Sequence, residues 1–95
     1  MKELKDLTEF EKVVLLVCCD ANRFSLGSHV PIEAIIKRIK GIKAKNPTKE
    51  IKTNLKSLIS NGFIIKHPTR NQMTYELSRK GLEAGNVLKR EFKNI

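Results

Sequence analysis

The chain has 95 residues, of which 40% are hydrophobic and 31% charged, and it carries a formal net charge of +9. That length suits one domain, 1–95, with a modest core and excludes a separate catalytic domain, while the mix of apolar and charged residues excludes a disordered chain. So large a basic excess points to a polyanionic partner.

The opening MKELKDLTEFEK is too charged for the apolar core of a signal peptide. The longest unbroken apolar stretch, 13–19, falls far short of the ~20 residues that a membrane span needs. A cytoplasmic protein that makes no membrane contact is expected. In the first helix, 8–21, Thr8 with Glu11 three residues on forms a capping-box pattern. Phe10, Val13, Val14, Val17, Cys18 and Ala21 make one broad apolar face, and Leu15, Leu16 and Cys19 fall outside it. A helix that is apolar on both sides needs cover on both sides, from the last helix of the same chain or from a partner chain.

Cys18 and Cys19 are adjacent and point about 100° apart on a helix, so they form no structural disulfide and read as core cysteines in a reducing compartment. With His29 and His67 they give neither a C-x-x-C nor an H-x-x-x-H spacing, so no metal site is expected. Redox sensing would need a nearby cation, and the neighbour is Asp20.

Residues 23–28 form a loop, and Ser28-His29-Val30 suits a short strand. Pro31 opens a second helix, 31–40, with the single stripe Ile32, Ile35, Ile36 and Ile39. Residues 41–46 form a turn longer than the three or four residues of a tight helix-turn-helix. A third helix, 47–61, starts with Pro47 in the first turn, Asn46 or Thr48 as cap, and stops at Asn61-Gly62. Ile51, Leu55, Leu58 and Ile59 gather on one side of it, opposite Lys49, Lys52, Thr53, Lys56 and Ser60.

A hairpin over 63–77 follows, its two strands flanking the turn-forming run HPTRNQ. Ser78 caps a last helix, 79–93, with Gly81, Ala84, Leu88, Phe92 and Ile95 along one side and Leu82 turned into the core. The small residues Gly81, Ala84 and Gly85 allow another helix to approach closely. The expected class is therefore α+β and mostly helical.

The segments LKSLISNGFIIKH and TYELSRKGLEAG, with the order of elements around them, resemble the winged-helix-turn-helix superfamily, in the style of a small archaeal or bacterial transcription regulator. The resemblance implies a three-helix core, a two- or three-stranded wing, a C-terminal helix, a recognition helix at 47–61 and a wing tip at 68–72.

The charge distribution agrees with that placement. Residues 1–20 carry −2 and residues 21–36 balance, whereas 37–56 carry +7, 57–80 carry +3 and 81–95 carry +1. Lys43, Lys45, Lys49, Lys52 and Lys56 are candidate phosphate contacts, and Thr48, Thr53 and Asn54 are short enough to reach base edges in a major groove. On the wing, Lys66, His67, Arg70, Asn71 and Gln72 are donors suited to the backbone or the minor groove. Lysine discriminates bases less well than the bidentate fork of arginine, so modest specificity is expected.

Leu15, Leu16, Cys19, Ala84, Leu88, Phe92 and Ile95 are candidates for a two-fold interface that would pair two recognition helices on double-stranded DNA. No nucleophile with a base, carboxylate pair or Gly-rich phosphate loop is present, so neither catalytic residues nor a cofactor are expected. The expected function is a homodimeric DNA-binding transcription regulator. The alternative is a winged-helix adaptor for a protein partner or structured RNA.

Overall fold

The computed structural model describes residues 1–39 and 47–93. After a short 3-10 turn at Leu4–Asp6 the elements run α1 (Glu9–Ala21), β1 (His29–Pro31), α2 (Ile32–Arg38), α3 (Pro47–Ser60), β2 (Ile64–Pro68), β3 (Met73–Leu77) and α4 (Arg79–Lys93). The described residues thus form an α+β fold of four α-helices and a three-stranded antiparallel sheet. The expected 41–46 turn, with Lys43, Lys45 and the Asn46 cap, lies outside the described residues, as does Ile95.

Caps set the helix ends. Thr8 and Glu11 make the reciprocal capping box at the start of α1. Ser78 Oγ accepts from the Gly81 N–H at 2.9 Å and holds the start of α4. At the end of α3, the Phe63 N–H reaches Leu58 O and the Gly62 N–H reaches Ile59 O, with Gly62 at φ +80°. This is the double-bonded exit that glycine permits. Pro31 sits one residue earlier than expected: it is the extended N-cap of α2, not its first helical residue.

The sheet has the order β1-β3-β2, with Ile65 and His29 both opposite Glu76, and Lys66 and Val30 both opposite Tyr75. Side chains alternate faces, so Ile64, Lys66, Tyr75 and Leu77 share the face toward the helices, while Ile65, His67 and Glu76 share the outer face.

The core lies between the helices and that inner face. Val14, Leu15, Cys18, Cys19, Ile35, Ile51, Leu58 and Leu88 are wholly inaccessible to solvent, each large aliphatic side chain gaining roughly 1.5–3 kcal/mol from burial. The apolar surplus of α1 is thereby resolved within one chain. Gly85 lies so close to Cys19 that a Cβ there would collide with Cys19 Sγ, and a Cβ at Gly81 would collide with the Phe63 carbonyl. Four of the residues expected at a two-fold interface, Leu15, Cys19, Ala84 and Leu88, are therefore core residues of the monomer. Leu16 and Phe92 remain at the surface.

Candidate nucleic-acid interface

Because α3 is fixed by Ile51, Leu55 and Leu58 beneath it, its opposite side is fixed outward. Thr48, Lys49, Lys52, Thr53, Lys56 and Ser60 are all exposed. The rotation of α3 is further pinned by a polar contact that sequence reading treated only as a cap. Glu11 is 4% exposed, and its carboxylate accepts from the Thr8 N–H at 2.8 Å, from Lys2 Nζ at 3.3 Å and from Ser57 Oγ on α3. Burial pushes this carboxyl up, but the bonds from Ser57, Thr8 and Lys2, with the charge of Lys2, outweigh it and hold Glu11 below the ordinary carboxylate value.

The N-terminal segment clips the far end of α3. The Lys2 N–H donates to Asn61 Oδ1 at 2.7 Å, and Lys80 Nζ donates to Lys2 O at 2.8 Å and Asn61 O at 2.9 Å while lying over the Phe63 ring. Nothing in the hydropathy pattern marks this clip, because its donors and acceptors lie 59 and 78 residues apart.

Two of the three candidate base readers make local bonds of their own. Thr53 Oγ1 donates to Lys49 O at 3.0 Å and Asn54 Nδ2 donates to Glu50 O at 2.7 Å, so both are tied to their own helix backbone. Thr53 stays on the exposed face, whereas Asn54 is half-buried at its flank.

Between α3 and the sheet lies a cleft of about 310 Å³ lined by Lys52, Leu55, Lys56, Ile59, Lys66 and Tyr75. Two lysines from successive turns of α3 thus meet a third from β2 over an apolar floor. Tyr75 was missed by sequence reasoning, because its place beside Lys66 is set by the strand register. Burial, with the nearby Cys18 and Glu33, pushes the Tyr75 phenol up.

At the hairpin tip, the Thr69 N–H and Oγ1 both donate to Gln72 O at 2.8 Å, closing a loop on which Arg70, Asn71 and Gln72 are exposed. His67 does not join the cleft. It lies on the outer face, stacked on His29 with ring centroids 4.4 Å apart and 3.5 Å from Glu76. The stacked rings are 22° from parallel, so their nitrogens lie in separate layers. Among the described residues no group of three His, Cys, Asp or Glu could hold a metal ion.

Cys18 and Cys19 are buried free thiols, and burial pushes both up, Cys19 to about 12. Among the described residues no helix is long and apolar enough to cross a membrane. No known family model, curated protein or solved structure matches this chain.

Proposed function

We propose that the protein is a winged-helix DNA-binding regulator in which α3 enters the major groove and the hairpin rides on the adjacent backbone. The observation that carries this reading is the lysine cleft. Lys52, Lys56 and Lys66 converge from two elements onto one concave surface, where three like charges gain most from an anion placed between them. A phosphate row between helix and wing meets that need, and Arg70 at the tip extends it to the next phosphates or into the minor groove. Thr48, and Thr53 as an acceptor since its hydroxyl donates to Lys49 O, are short enough to meet base edges, so affinity comes chiefly from the backbone and discrimination is modest.

One chain carries one such reading head. A homodimer through the first and last helices retains Leu16 and Phe92 from its described candidates, and sedimentation of the protein on a duplex with two spaced half-sites measures whether two copies pair there.

A second reading, an adaptor for a protein partner, draws on Ile65 at 44% and Met73 at 39% exposure on the hairpin, apolar groups for which a phosphate backbone has no use. Fluorescence anisotropy with duplex DNA, duplex RNA and single strands at physiological salt separates these. Tightest binding to duplex DNA, falling steeply with salt, is expected. Retention of no nucleic acid would favour the adaptor.

A further inference from the structure

A second concavity, of about 510 Å³, lies among α1, α4 and the end of α2. Its volume falls in the range that holds small organic ligands, roughly 300–1,000 Å³. The floor and walls are Leu16, Val17, Phe24 and Phe92; the polar groups are Asp20, Arg38 and Lys89. Two cations against one carboxylate leave the groove with an excess positive charge beside two aromatic rings.

The geometry of those cations matters. Arg38 donates through Nε to Asp20 at 3.0 Å and through Nη1 to Ala34 O at 3.2 Å, and neither bond uses Nη2. Lys89 Nζ stands 4.7 Å from the centroid of the Phe24 ring. The ring is delivered by a costly turn. Arg23 at φ 54° and Phe24 at φ 52° are consecutive left-handed residues without glycine's freedom.

We propose that this groove binds a small aromatic carboxylate. Its ring system lies against Phe24 and Phe92, with Leu16 and Val17 beneath, and its carboxylate meets Arg38 and Lys89. A neutral apolar ligand would leave the cationic pair unused, and an organic cation would be repelled by it. A second copy of the chain meeting this one through Leu16 and Phe92 would fill the same groove, so dimer and ligand are exclusive outcomes of the test below. The inference stands independently of what α3 binds.

The test is a heteronuclear NMR titration of the full chain with 2-naphthoate and, in parallel, with 2-naphthamide, which has the same shape and no charge. The carboxylate is expected to shift Val17, Phe24 and Lys89 saturably and to bind about tenfold more tightly than the amide. The double variant Arg38→Gln/Lys89→Gln is expected to abolish that preference, bringing the affinities of the two probes together. Both side chains lie at the surface, and Lys89→Gln alone gives the same check if the double variant melts early. Equal affinities for the two probes overturn the proposal, as do shifts centred on Lys52, Lys56 and Lys66. Shifts in the groove that grow with protein concentration without any probe also overturn it, since they assign the face to a second copy.

Discussion

Replacing Lys52, Lys56 and Lys66 together by Ala strips the cleft between α3 and the hairpin of its charge while leaving Leu55, Ile59 and Tyr75 in place. All three lysines are exposed, so little stability is lost and the change is read in binding. If each neutralises one phosphate, each contributes about 0.9 to the slope of log affinity against log salt concentration, and the triple variant loses about 2.7 from it. At about 0.15 M salt that is a loss of roughly 150-fold, or about 3 kcal/mol. The assay is anisotropy of a labelled duplex over a series of salt concentrations, with Arg90→Ala, exposed on α4, as a charge control. A triple variant with an unchanged slope, or Arg90→Ala with an equal loss per charge, would refute the cleft as the phosphate contact.

Lowering the pH tests Glu11. Its folded-state value lies below the ordinary 4.5, so its stabilisation is complete above the unfolded value and is lost as pH falls through the folded one. Chemical denaturation from pH 7 to 3 should show a decline below about pH 4.5 that Glu11→Gln flattens, with Glu11→Gln itself costing about 1–3 kcal/mol at neutral pH; identical pH profiles would contradict this. Gly81→Ala and Gly85→Ala should each destabilise by about 1–3 kcal/mol through overpacking, despite the ~1 kcal/mol that Ala gains over Gly in a helix, and unchanged or raised melting temperatures would show that α4 does not approach this closely. Arg23→Gly, at the left-handed exit of α1, should stabilise by about 0.5–1 kcal/mol, and a loss in thermal melts would count against that turn. Cys18 and Cys19 should resist a thiol reagent at neutral pH until the protein unfolds, so prompt labelling of native protein would contradict their burial.

Local chemistry made most of the elements legible in the sequence. Thr8, Ser78 and Gly62 each act within a turn or two of their own position, and α1, α3 and α4 fall within a residue or so of the expected spans. The outward face of α3 was equally readable, because Ile51, Leu55 and Leu58 leave only one way to turn it. What periodicity does not encode is the partner. Leu15 and Cys19 were visibly apolar outside the main face of α1, but a stripe is the same whether a helix of this chain or of another covers it. Gly85 opposite Cys19 decides the matter, and it is a distance, not a pattern. His67 shows the same limit on the sheet: its stack on His29 follows from the register of two strands on either side of β3, which no local window contains.

The placement of the acidic side chains explains why the basic excess surfaces where it does. Glu11 is taken by Lys2 and Ser57, Asp20 by Arg38, Glu9 by Lys12, Glu3 by Lys80, and Glu76 lies beside His67. In none of these contacts is Lys52, Lys56 or Lys66 the partner. The contact that holds Glu11 also helps fix the rotation of α3 through Ser57. Three exposed lysines gathered on one concave surface gain from an anion outside the protein that releases their counterions and its own. That gain is the physical reason to look for a polyanion at α3 and the hairpin before any other partner.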